Sequence, residues 1–238
     1  MGRAFEVRKA AMAKTSLAKA KVYSRFGKEV YMAAKSGVPD PEMNTTLKRT
    51  IEKAKANQVP AEVIKRAIEK AKGGSGEQYT EVIYEGFGSG SATILVECLS
   101  DNTNRSIADV RACFNKSHAK MGVSGAVSHS YEKVGLLSFN YEDEEAMLDA
   151  LIMAECDVRE MEVDEGIMTL YVEPTELYKA KDAVESLIPD CEFSVLEISY
   201  IPSEYTELQG EDKELFERLL NLLDEVDDVQ NVYHNVIL

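Results

Sequence analysis

The hydrophobic period of this chain changes across a short glycine-rich run, Gly73-Gly74-Ser75-Gly76. Upstream of it, apolar residues recur every three to four positions. Downstream they alternate, or cluster in β-branched and aromatic runs. A segment patterned for one period cannot keep a single buried face at the other. The chain is therefore expected to be α+β, with an N-terminal three-helix domain followed by two α/β domains. The run itself reads as a helix stop and a flexible joint.

Upstream, Ser16 is placed to cap a helix running to about Ser36, with Val22, Phe26, Val30 and Ala33 on one face. Lys21, Arg25, Lys28 and Lys35 fall on another face. Gly37 and Pro39 end it. Asp40-Pro41 reads as the cap and first residue of a second helix, burying Met43, Leu47, Ile51 and Ala54 and turning Lys48, Arg49 and Lys55 outward. Pro60 opens a third helix, with Val63, Ile64, Ala67, Ile68 and Ala71 inside. The first dozen residues fit either a loose basic arm or a short helix.

Downstream, EVIYEGFG and SATILVECLS read as two strands about a glycine turn, and GAVSHSYE as a further strand. A helix capped by Asp101 or Asn102 repeats Ile107, Val110 and Phe114 on one side. Residues 134–203 then run strand, helix, strand, strand, helix, strand, the last helix starting at Pro174. That order is ferredoxin-like, a sheet covered on one face by two helices. The tail offers one amphipathic helix (Leu215, Phe216, Leu219, Leu220, Leu223) and a strand near VQNVYHNVIL. One helix and one strand cannot bury themselves alone, so they are expected to return to the middle of the chain. The domains expected are 1–76, basic and helical; 77–133 plus 204–238, the middle α/β domain; and 134–203, ferredoxin-like and inserted in it.

Charge follows the same division. Residues 1–76 hold 17 Lys and Arg against 7 Asp and Glu, net +10, whereas the whole chain of 238 residues carries −15. A basic block on an acidic body suggests a phosphate-binding arm on a soluble scaffold. Ordinary solvated helix faces are the plain alternative; the size and confinement of the excess favour function. The candidate nucleic-acid-binding residues are Lys21, Arg25, Lys28, Lys48, Arg49, Lys55, Lys65 and Arg66, with Asn104, Arg105 and Arg111 from the DNTNRSIADVR segment. In that segment a helix N-terminus would meet an anion; ordinary capping with a surface arginine explains it somewhat better.

The remaining motifs point away from catalysis. Gly86, Gly88 and Gly90 precede a strand rather than a helix, so they read as a hairpin turn and not a nucleotide loop. Cys98, Cys113, Cys156 and Cys191 are far apart and read as reduced thiols of a cytoplasmic protein. His118, His129 and His234 show no ligand spacing, so neither a metal nor another cofactor is expected. The acidic runs 143–145 and 224–228 read as a helix start and a solvated helix end. No apolar run approaches the roughly 20 residues a membrane helix needs. A hydrolase working through an acidic cleft is a weak third reading.

Several segments together resemble the YebC/PmpR family: PDPEMNTTLKRTIEKAKANQVP, EVIKRAIEKAKGG, YEGFGSGS, the stretch from Glu97 through DNTNR to Arg111, Phe114-Asn115-Lys116 and VYHNV. The resemblance covers nearly the whole chain and is closest to the branch beginning Met-Gly-Arg. It implies a helical N-terminal domain, two α/β domains and no enzymatic activity. It also implies one of two roles: DNA-binding transcriptional regulation, or translational activation, which is the role of a mitochondrial relative and extends in bacteria to ribosomes stalled at proline runs. The partner implied is DNA or ribosomal RNA, held by a monomer or weak homo-oligomer. Two departures stand out. Phe5 lies where members usually have a Trp, and Ser117-His118-Ala119 follows the Asn-Lys pair where Gly-Gly is common.

Overall fold

The computed structural model describes residues 3–13, 19–73 and 78–238, so the joint at 74–76 and the Ser16 cap lie outside the described residues. In chain order the elements begin with α1 (Arg3–Ala13), α2 (Lys19–Lys35), α3 (Thr45–Ala56), α4 (Ala61–Lys72), β1 (Thr80–Phe87), β2 (Thr93–Ser100), α5 (Thr103–Lys116) and β3 (Lys120–Met121). A 3-10 turn at Ser128–Ser130 precedes β4 (Tyr131–Asn140), α6 (Glu144–Met153), β5 (Val158–Asp164), β6 (Ile167–Val172), α7 (Leu177–Leu187) and β7 (Phe193–Pro202). The chain ends with β8 (Thr206–Glu207), α8 (Gly210–Asp224), β9 (Val229–His234) and β10 (Val236–Ile237). These elements form two compact units, one of residues 15–126 and 209–232, the other of residues 1–14, 127–208 and 233–238.

In the first unit α2, α3 and α4 close a small helical core around Phe26, Val30, Tyr31, Leu47, Ile51, Ala54 and Ile64. The second helix starts later than its Asp40-Pro41 signal suggests. Asn44 is the cap: its Oδ1 accepts from the Leu47 N–H at 3.0 Å, and its Nδ2 donates to the carbonyls of Ala33 and Val38 at 2.9 and 3.0 Å. Asp40 instead makes a local turn, its Oδ1 accepting the Glu42 N–H at 3.0 Å. That side-chain bond competes with helix initiation, and Met43, expected in the core, is 73% exposed.

The same unit holds an antiparallel sheet in the order β3-β1-β2-β9. The expected glycine turn is a hairpin, closed by the Gly88 N–H on the Ala92 carbonyl at 2.9 Å. Gly86 is required by packing: a Cβ there would stand 2.3 Å from the Phe114 ring. The return of the tail is seen in β9, which completes the sheet beside β2. The strand expected in GAVSHSYE is absent until Tyr131. Gly125 takes a left-handed φ of +86°, and Ser130 Oγ donates to the Val127 carbonyl at 2.7 Å, which favours the 3-10 turn.

The second unit is built on the sheet β5-β6-β4-β7, with α6 and α7 as its crossovers, the ferredoxin-like arrangement. On one face Leu137, Phe139, Met168 and Leu170 pack with Met147 and Leu151 of α6 and Ala180 and Val184 of α7. The other face is covered as well. It carries a second core of Val134, Leu136, Tyr171, Val195 and Ile201, closed by Val7 of α1. Arg8 of α1 is 5% exposed and reaches Asp164 at 2.9 Å.

Candidate nucleic-acid interface

Lys21, Arg25 and Lys28 are spaced to share one face of α2, and that face turns inward within the first unit. Lys21 Nζ donates to the Asp224 carbonyl and lies 3.0 Å from its Oδ1. Arg25 pairs with Glu29 at 3.0 Å and donates to the Gln230 carbonyl at 3.3 Å. Lys28 Nζ donates to the carbonyls of Leu99 and Asp227 at 3.3 and 3.0 Å and to Asp228 Oδ1 at 3.2 Å. The acidic tail run, expected to be a solvated helix end, is thus where Lys21 and Lys28 of α2 are held.

Asp228 is the hub of this seam and is 3% exposed. Its Oδ2 accepts from Ser100 Oγ and Ser106 Oγ, each at 2.8 Å, and from Arg105 Nη2 at 2.8 Å. Burial alone would push its pKa up. The bonds from Arg105, Ser100, Ser106 and Lys28 outweigh burial and hold it down at about 2. Arg105 also bonds Asp101 at 2.7 Å, and its own pKa is raised by these two carboxylates. Lys28, Arg105, Asp101, Asp228 and Lys116 line a cleft of about 700 Å³. Two of its cations, Lys28 and Arg105, already face carboxylates. Cys98 is fully buried; burial, Asp228 and Glu97 push its thiol up to about 12, which makes it a poor nucleophile.

The other predicted residues face outward. Lys48 and Lys55 of α3 and Lys65 and Arg66 of α4 are exposed, and Arg49 is half-buried. Arg66 pairs with Glu62 at 3.2 Å, with both side chains well exposed. Such a pair contributes about 0.5 kcal/mol. Lys70 and Lys72 extend the same exposed cationic set along α4. On α5, Asn104 and Arg111 are exposed, while Asn102 is the cap, its Oδ1 accepting the Arg105 N–H at 3.1 Å. The eleven predicted residues therefore divide between an outward face on α3 and α4, an inward-turned set on α2, and three exposed positions on α5, of which Arg105 also bonds Asp228. Asp228 was missed because nothing in its acidic run distinguishes it; its serine partners lie more than 120 residues away.

The described residues contain no group of three or more His, Cys, Asp or Glu able to hold a metal, and no helix long and apolar enough to cross a membrane. Family models cover both parts of the chain: the TACO1/YebC N-terminal domain matches residues 3–74, and the TACO1/YebC second and third domain matches residues 79–236. The chain belongs to the TACO1/YebC family. A relative from Vibrio campbellii (strain ATCC BAA-1116), named "Probable transcriptional regulatory protein", is 52% identical over 235 residues and covers 99% of each chain. One with the same descriptive name from Alteromonas mediterranea is 50% identical over 237 residues, covering 100% of this chain and 99% of its own. Among solved structures, the crystal structure of a conserved hypothetical protein from Aquifex aeolicus superposes with a TM-score of 0.77 at 34% identity, covering 94% of this TACO1/YebC chain and 93% of its own. The resemblance carried by PDPEMNTTLKR, YEGFGSGS and DNTNR thus holds across the chain.

Proposed function

We propose that this TACO1/YebC protein is a nucleic-acid-binding regulator of gene expression, not an enzyme, that grips backbone phosphates with the outward face of α3 and α4. The observation that carries this reading is the exposed set Lys48, Lys55, Lys65, Arg66, Lys70 and Lys72, gathered on two helices of a region that is net +10 in a chain that is net −15. Counterion release would drive binding at such a face and make it steeply salt-dependent. Asn104 and Arg111 extend the candidate surface. Lys21, Arg25 and Lys28 reach a phosphate only by giving up bonds they make within the protein, whereas Arg105 bonds Asp101 and Asp228 with its side chain still 48% exposed.

The finer reading is a DNA-binding transcriptional regulator, in line with what the relatives are named. One observation favours the alternative, a ribosome-associated translation factor. The exposed set is mostly lysine, a point charge that fixes position on phosphates but lacks the fork that reads guanine. Backbone contact without base readout suits a structured RNA recognised by shape. The protein would act in the cytoplasm as a monomer or weak homo-oligomer.

Lysate run on sucrose gradients at low and moderate salt, with and without ribonuclease, separates the two. Ribonuclease-sensitive co-migration with ribosomal particles at moderate salt supports the translational reading. A protein that stays at the top and retains a DNA duplex in pull-down supports the transcriptional one. The whole proposal is sunk if K48E/K55E/K65E, folded as judged by an unchanged melting temperature, binds duplex DNA and ribosomal RNA as the parent does.

A further inference from the structure

The ferredoxin-like stretch 134–203 holds 3 basic residues against 18 acidic ones, so it is poorly suited to nucleic acid and to an anionic lipid surface alike. Its helix α6 nevertheless keeps apolar residues on both sides. Met147 and Leu151 are fully buried against the sheet. On the outward side Leu148 is 45%, Ile152 63% and Met153 87% exposed. Leu148 and Ile152 are four residues apart and therefore adjacent on the helix surface, with Met153 beside them. A solvated helix normally turns polar groups outward. The contrast within this protein is α8, whose outward positions are Glu211, Asp212, Glu214, Glu217, Arg218 and Asn221.

What surrounds the apolar trio is of one sign. Glu144, Glu145 and Asp149 share the helix, all exposed, and Glu155 and Asp157 follow it, also exposed. There is no Lys or Arg anywhere from residue 134 to residue 158. Lys179 of α7 reaches the Glu155 carbonyl, and its charge is matched by Glu176 at 3.0 Å. Asp143 is committed as the helix cap, its Oδ1 accepting the Ala146 N–H at 3.0 Å.

We infer that the outward face of α6 is a docking surface for a cationic amphipathic helix of a partner protein. Leu148, Ile152 and Met153 supply the apolar contact. Glu144, Glu145 and Asp149 supply complementary charge that orients the partner and speeds its approach. The partner must present apolar residues one turn apart, flanked by lysine or arginine. Such a surface gives the acidic domain a task distinct from phosphate binding: it fastens the regulator to a basic protein while the helical domain holds nucleic acid.

The test uses the full chain and a fluorophore-labelled synthetic Leu/Lys amphipathic peptide, with a Ser/Lys peptide of equal charge as control, read by anisotropy at about 0.15 M salt, where surface attraction alone is largely screened. The Leu/Lys peptide is expected to bind, and the control to bind at least about tenfold more weakly. L148S/I152S, which alters only exposed side chains, is expected to weaken the Leu/Lys peptide about tenfold, the loss of two apolar anchors, and to leave the melting temperature unchanged. Equal binding of the two peptides, or no effect of L148S/I152S, overturns the inference. So does a concentration-dependent dimer in sedimentation velocity that L148S/I152S abolishes, since a second copy would then be the occupant.

Discussion

Asp228 receives hydrogen bonds from Ser100, Ser106, Lys28 and Arg105 while being 3% exposed. Removing its charge strands two cations, one of them on a largely buried side chain. Asp228→Asn is therefore expected to destabilise the protein by about 3 kcal/mol, the usual scale for breaking a buried ion pair from one side, measured by denaturant unfolding. The pH dependence follows from the depressed pKa. A carboxylate held at about 2 when folded contributes stability that is fully present above its unfolded value near 4 and is lost as pH falls towards 2. That contribution is about 2 kcal/mol. The parent should lose it between about pH 4 and 2, whereas the Asn variant should show a shallower slope over the same window. At His118 the backbone takes φ +53°, in the left-handed region. An L side chain there is strained by about 1 kcal/mol, so His118→Gly is expected to raise the melting temperature, with no change expected in nucleic-acid affinity.

At the scale of elements, α1 and α2 are the informative pair. The first helix closes the second face of the ferredoxin-like sheet with Val7, and Arg8 lies buried there against Asp164. Arg8→Ala removes that pair and the packing of its stem. The expected loss is about 2 kcal/mol, with faster hydrogen exchange in β6 and β4 as the signature that this sheet has loosened. The cations of α2 are expected to behave differently from those of α3 and α4. Lys21 and Lys28 side chains are only 18% and 14% exposed and meet Asp224 and Asp228. Neutralising them should lower the melting temperature more than the affinity for a duplex. Neutralising Lys48, Lys55 and Lys65 should do the reverse, each lysine lost from a phosphate contact flattening the salt slope by about 1.

At the scale of the whole molecule, some six cations set against phosphates predict an affinity that falls roughly a thousandfold between 50 and 200 mM salt, a titration that a base-reading, weakly charged interface would not reproduce. Much of this protein could be read along the chain. The helical and strand periods on either side of Gly73 determined the α+β class, because burying one face requires one period. The order of strands and helices over 134–203 determined the ferredoxin-like topology, and PDPEMNTTLKR with DNTNR determined the family. The basic block, too, is a property of sequence alone. Where each cation points is not, because a helix face is solvated or buried according to what folds back against it. Lys28 and Lys48 look alike in sequence; Lys28 meets Asp228, 200 residues away, and Lys48 meets solvent. The same holds for Asp228 in its acidic run and for α1 over its sheet. Their roles come from partners distant in the chain, brought together only when the tail strand returns beside β2 and the first helix settles on the second face of the sheet.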